Sequence, residues 1–211
     1  MGKMIDEKEL MDLKKWAKYG KLFSGIIHNL NSPIMGVSGR LELIAFRQPD
    51  LKGLDKITAQ LDKINEILSS IAFLVEKDMN NDIRDLDIKE VMKNIDKLFF
   101  ANMKYKHKMS IETNFENSLM IKTKPTSLIN SITITMDEVI EKCDDDSKMS
   151  LSYLDKDDFI HILLSVNQSF IIDENSFNFI LAKEFAEQIS GEIICENNFS
   201  DTLVTIKIPK N

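Results

Sequence analysis

Phe23-Ser-Gly-Ile-Ile-His-Asn-Leu-Asn-Ser-Pro-Ile-Met-Gly-Val-Ser-Gly-Arg-Leu-Glu-Leu-Ile44 is the stretch whose reading decides the fold. Its residues Phe23, Ile27, Leu30, Ile34, Val37, Leu41 and Ile44 are spaced 4, 3, 4, 3, 4, 3. Leu54, Ile57, Leu61, Ile64, Leu68, Ile71 and Val75 repeat the pattern with spacings 3, 4, 3, 4, 3, 4. Both are heptad seams, the signature of helices packed knobs-into-holes at a shallow angle. Between them Arg47-Gln-Pro-Asp-Leu-Lys-Gly53 offers a proline and a glycine, the chemistry of a chain reversal. Residues from about 8 to 79 therefore read as an antiparallel helical hairpin. Two helices cannot bury both flanks of such seams. Pairing two hairpins into a dimeric four-helix bundle solves this, and packing against the rest of the same chain is the alternative.

Asn80-Asn-Asp-Ile-Arg84 reads as a linker, and the remainder mixes helices with strands. Helical spacing runs from Asp87 to Lys106, and Met109–Phe115 and Leu119–Thr123 read as strands. Pro125 opens a second helix, Thr126–Cys143, where its missing N–H costs least. Ser147–Leu154 and Phe159–Asn167 alternate in strand fashion. Asn175–Ser190 forms a third helix closed by Gly191, and strands Glu192–Glu196 and Leu203–Ile208 end the chain. The pattern predicts an α+β sandwich, with domains 1–79 and 80–211.

Composition narrows the function classes. No apolar run approaches the roughly 20 residues that span a bilayer, and Met1–Lys21 holds no signal-peptide core, so no membrane partner is expected. Cys143 and Cys195 read as free thiols in a reducing cytoplasm. A net charge of -7 argues against nucleic acid as a partner. The balance is +1 over residues 1–80 and -8 beyond, itself a hint of two domains. Six of the seven glycines lie at or before position 53, and only Gly191 follows. No glycine-rich phosphate cradle can exist in the second domain.

With Ile27 at heptad position a, His28 falls at b, beside the seam, with Asn29 at c and Ser32 at f. There a histidine keeps both ring nitrogens available, one for attack and one for an orienting hydrogen bond. Imidazole can take a phosphoryl group and hold it as a labile phosphoramidate, given in-line positioning and neutralised phosphate charge. Most lone surface histidines, however, are simply solvated.

The segment His28-Asn-Leu-Asn-Ser-Pro-Ile-Met-Gly-Val-Ser-Gly-Arg-Leu-Glu-Leu43 resembles the H-box of bacterial two-component histidine kinases. That motif has a histidine, usually an acid next, a small polar residue four positions on, and a proline five on. The resemblance implies that His28 accepts the phosphoryl group and that Pro33 kinks the helix; plainly read, Pro33 only removes one backbone bond. Ser32 sits where the family positions water to dephosphorylate its partner. Asn29 departs from the pattern: it replaces the acid that acts as general base toward ATP, and an amide cannot accept that proton.

The second domain resembles the family's ATP-binding domain in element order, and Leu181-Ala-Lys-Glu-Phe-Ala-Glu-Gln-Ile-Ser-Gly-Glu-Ile193 is similar to its last helix and following strand. The nucleotide boxes do not survive. Thr135-Met-Asp-Glu-Val-Ile-Glu141 stands where an Asn should hold Mg²⁺, Val166-Asn-Gln-Ser-Phe-Ile-Ile172 where Asp-x-Gly-x-Gly should read adenine, and Ser176-Phe-Asn-Phe179 where Gly-x-Gly should cover the phosphates. Phenylalanine cannot replace glycine where backbone must approach a triphosphate. Asp137, Glu138 and Glu141 read as a solvated face rather than a metal site.

The resemblance implies a histidine phosphotransferase of the bundle-dimer type. It relays phosphate between His28 and aspartates of response-regulator receiver domains, an upstream histidine kinase being a further possible partner. No ATP or other cofactor is expected on this chain, and Mg²⁺ is expected on the receiver. The alternatives are a receiver phosphatase using Asn29 or Ser32, a non-catalytic pseudokinase module, and a kinase with an unusual nucleotide site.

Overall fold

The computed structural model describes residues 7–49, 51–78 and 82–210, with the side chains of 7–24, 28 and 78 outside the description. The chain divides into two compact units, Met1–Val75 and Glu76–Asn211.

The first unit is the hairpin. Helix α1 spans Glu7–Arg47 and α2 spans Leu54–Asp78. Gly53 takes the left-handed conformation the reversal requires (φ +89), and its carbonyl accepts from Ile57 N at 3.2 Å as α2 begins. The heptad seams divide in two. Ile27, Leu54 and Leu68 are buried, and Ile34, Leu41, Leu61, Ile71 and Val75 are half-buried. The alternate positions Leu30, Val37 and Ile44 are 43%, 49% and 39% exposed, and Ile57 and Ile64 on α2 are 55% and 45% exposed. A heptad seam has two flanks, and the hairpin by itself covers only one of them.

The second unit is an α+β sandwich. A five-stranded sheet has the order β2-β4-β5-β7-β6, built from Ser110–Asn114 (β2), Lys148–Lys156 (β4), Phe159–Val166 (β5), Glu192–Asn197 (β6) and Thr202–Pro209 (β7). β2 runs parallel to β4, and the other pairs are antiparallel. Strands Arg84–Asp87 (β1) and Met120–Thr123 (β3) form a separate antiparallel ribbon. Helices Ile88–Phe99 (α3), Met103–His107 (α4), Pro125–Lys142 (α5) and Phe177–Glu187 (α6) complete the unit. Alternate residues of the central strands, Ile160, Ile162, Leu164 and Val166 on β5 with Val204, Ile206 and Ile208 on β7, are fully buried. Ile88, Val91, Met92 and Ile95 supply the buried stripe of α3.

Four readings of the sequence need correction. The helix expected over Asp87–Lys106 is two helices. Asn102 breaks it, its side-chain oxygen capping α4 by accepting from Lys104 N (2.9 Å) and Tyr105 N (3.2 Å). Strand β1 begins at Arg84, in the segment read as linker, and has one buried residue, Leu86. At the end of α6 the left-handed residue is Ser190 (φ 56). Gly191 is needed for space instead, since a Cβ there would lie 2.8 Å from Lys207 O. Last, Glu138 is not on a solvated face: it is 6% exposed, continuing the buried polar stripe of Ser127, Ser131 and Thr135 along α5. Asp137 and Glu141 are exposed, as read.

Asp87 ties the ribbon to α3. Its carboxylate accepts from Lys89 N (2.9 Å), Ser118 Oγ (2.7 Å) and Leu119 N (3.1 Å). Partial burial opposes ionisation, but these bonds outweigh it and hold the carboxyl below its ordinary value.

Candidate functional site

His28 lies in α1, and its side chain is outside the described residues. Around it Ile27 is buried, and Asn29, Leu30, Asn31, Ser32 and Pro33 are exposed. α1 continues through Pro33 to Arg47, so the proline removes one i−4 bond without ending the helix. A Cβ added to Gly36 or Gly39 would meet nothing within 4 Å. This part of α1 is an open surface. Positions 28, 29 and 32 lie within just over one helical turn of each other.

The residues aligned with nucleotide boxes occupy a different setting. Thr135 is fully buried in α5, its hydroxyl bonded to Ser131 O at 2.6 Å. Val166 ends β5, and Thr202 Oγ1 fastens the next loop, donating to Gln168 O (2.8 Å) and accepting from Phe170 N (3.1 Å). Ser176 caps α6 by accepting from Phe179 N (3.2 Å), and the Phe179 ring is fully buried in the core. A cavity of about 400 Å³ opens between the end of α3, α5 and the start of α6, with Leu98, Phe99, Asn102, Ile134, Asp137 and Asn178 in its lining. Asp137 is its one charged lining residue. Burial and the nearby Glu141 carboxylate push the Asp137 carboxyl up. A polyphosphate would therefore meet a carboxylate and no cation there.

Among the described residues no three His, Cys, Asp or Glu side chains are grouped to hold a metal ion. Cys143 and Cys195 are free thiols, each pushed up to about 11 chiefly by burial. No described helix is long and apolar enough to cross a membrane. The sequence reading passed over one set of residues, Lys89, Lys93 and Lys97 of α3. Their i, i+4, i+8 spacing is visible in the sequence and puts them on one face.

Comparison with solved structures defines the class of fold. The Acinetobacter baumannii histidine kinase AdeS matches with a TM-score of 0.53 and 18% identity, over 87% of this chain and 98% of that one. The catalytic domain of the histidine kinase ThkA matches with a TM-score of 0.53 and 12% identity, over 61% and 97%. ThkA in complex with the response regulator TrrA matches with a TM-score of 0.50 and 15% identity, over 97% and 66%. No family model and no curated protein matches the chain. At these identities the likeness establishes the fold: this chain has the architecture of a histidine kinase catalytic region.

Proposed function

We propose that this protein is a dimeric histidine phosphotransferase of two-component signalling, in which His28 exchanges a phosphoryl group with receiver-domain aspartates. The observation that carries the reading is the His28–Leu43 segment, H-box-like in residue order, on the exposed first helix of a hairpin in a histidine-kinase fold. In the forward step an imidazole nitrogen attacks the phosphorus of the receiver's aspartyl phosphate. The P–N bond forms, the P–O bond breaks, and the carboxylate leaves with the electron pair. The receiver supplies Mg²⁺ to neutralise the phosphate, and this chain supplies position. ThkA, of the same fold, is seen with a response regulator, which supports a receiver as the partner.

Three features support the finer points. The uncovered flank of both seams, Leu30, Val37, Ile44, Ile57 and Ile64, favours a homodimeric four-helix bundle. Asn29 in place of an acid, and Phe179 buried in the core where a glycine loop would lie, favour a chain that takes no phosphate from ATP. The composition favours a cytoplasmic protein with functional domains near 1–79 and 80–211. An upstream histidine kinase charges the relay. A second reading, receiver phosphatase, rests on Ser32, exposed and one turn beyond His28.

The test uses purified receiver domains labelled with acetyl phosphate. Label should pass to this protein from at least one receiver, and the His28→Ala variant should take none. Faster loss of receiver phosphate without protein label favours the phosphatase. Incorporation from labelled ATP at His28 overturns the account of the second unit.

A further inference from the structure

The phosphotransfer chemistry makes no use of the cavity between α3, α5 and α6, yet the cavity is a formed site. Its volume of about 400 Å³ falls in the range of small-molecule pockets, about 300–1,000 Å³. Both turns that border it are pinned. The Asn102 cap fixes the passage from α3 to α4, and the Ser176 cap fixes the start of α6. The wall from α3 is apolar, made by Leu98 and Phe99, and the Phe99 ring is held against Tyr105 at 5.8 Å between centroids. Ile134 adds to it from α5. A ligand entering here meets walls that are already ordered.

Polar groups come from the other two helices. Thr133 and Asp137 lie one helical turn apart on α5, and Asn178 stands on α6. Thr133 Oγ1 donates its proton to Ile129 O at 2.9 Å, which leaves its lone pairs to accept. Asp137 is the one charged residue of the lining. Burial first and Glu141 second push its carboxyl up, and no lysine acts to lower it. Of the two lysines next in sequence to the lining, Lys104 directs its Nζ at Glu141 O (3.1 Å), and Lys97 lines a separate groove between α3 and β2. Asp137 thus stands beside apolar walls and a like charge, with no cation partner among the described residues.

We infer that the cavity binds a small organic cation, an amine or amidine on a compact apolar body, with Asp137 as the counter-charge. The cationic group donates to the Asp137 carboxylate, and Thr133 Oγ1 and the Asn178 amide oxygen are further acceptors. The apolar body lies against Leu98, Phe99 and Ile134 and takes that wall out of water. The site involves neither His28 nor the hairpin, so it stands or falls apart from phosphotransfer.

The probe is phenethylamine at neutral pH, compared on the full chain with phenethyl alcohol, phenylacetate and butylamine by amide NMR shifts. Phenethylamine should shift the amides of Leu98–Asn102, Ile134, Asp137 and Asn178 together and saturably, with a Kd of about 1 mM. The neutral alcohol should bind about fivefold more weakly, and the anion should not bind. Butylamine reproduces a lysine side chain without the ring, and should also be about fivefold weaker. The Asp137→Asn variant changes an exposed side chain and should keep the circular dichroism spectrum. It should bring phenethylamine down to the affinity of the alcohol. Equal binding of amine and alcohol, a preference that survives in Asp137→Asn, or shifts centred elsewhere overturns the proposal. So does butylamine binding as tightly as phenethylamine, which would assign the carboxylate to a lysine of a partner protein. No saturable shift at about 10 mM phenethylamine overturns it as well.

Discussion

The two units bury their apolar residues to different degrees. In the sandwich, Ile88, Met92, Leu128, Met136, Ile162, Leu164, Val204 and Ile206 are wholly enclosed, and the polar stripe of α5 is bonded internally at Ser127, Ser131 and Thr135. In the hairpin even the seam residues Val37 and Ile57 are about half exposed, at 49% and 55%. The difference teaches where each unit finds its stability. The sandwich closes its core within one chain, whereas the hairpin presents an apolar flank that only another surface can cover. It also separates the tasks. Candidate chemistry sits on the open unit, where a partner can approach, and the closed unit holds a finished core where the resemblance placed nucleotide boxes.

This contrast can be broken or sharpened by substitution. The largest effect is expected from Val37→Asp/Ile64→Asp, which places carboxylates on the uncovered flank. Each buried apolar side chain at a dimer seam is worth about 1.5–3 kcal/mol, so the proposed dimer should fall to monomer in analytical ultracentrifugation. Hydrogen-exchange protection of β5 and β7 should be unchanged. If the variant remains dimeric, the flank is covered by something else.

Next in size, Ile162→Ala cuts the middle of the enclosed core and should cost about 2–5 kcal/mol in urea unfolding of the sandwich, leaving the oligomeric state alone. Gly191→Ala forces a Cβ to 2.8 Å from a backbone carbonyl and should cost about 1–3 kcal/mol, read as a drop in Tm. The smallest effect is Asp87→Ala, about 1 kcal/mol from the lost cap of α3. Because the Asp87 carboxyl is held below its ordinary 3.8 in the fold, its contribution is present at neutral pH and fades as pH falls through about 4 and below. The variant and the parent should therefore converge in stability in strong acid. A gap that stays constant with pH would assign the loss to packing.

How much of this was legible in the sequence follows from the kind of signal each feature leaves. The hairpin was readable because seven apolar positions per helix repeat without interruption, and the reversal because Gly53 marks it. β1 was not, since Arg84-Asp-Leu-Asp87 has one apolar residue and gains its strand form only by pairing with β3. The break after α3 was masked by Phe99, Phe100 and Tyr105, which prolong the apolar pattern; the Asn102 cap was the available clue. Ser190 and Gly191 show the limit of a rule. A glycine after a helix suggests a left-handed turn, but here the turn is taken by serine and the glycine answers a contact with β7 that sequence does not display. Glu138 was misread because an acid on a helix suggests solvent, while its register with Ser131 and Thr135 placed it inside. For the candidate site, residue order marked His28, Asn29 and Ser32, whereas the full burial of Thr135 and Phe179 shows only in the folded chain.

One mechanical consequence follows from Pro33. At about 1.5 Å per residue, α1 extends some 21 Å from Pro33 to Arg47, while His28 stands only about 7.5 Å from the proline on the other side. A missing backbone bond makes this the most compliant point of a long rod. The helix is then a lever with unequal arms. A bend of about 10° at Pro33 swings the hairpin tip by close to 4 Å and His28 by little more than 1 Å. A partner that grips the tip has leverage over the hairpin, and the histidine rides near the fulcrum.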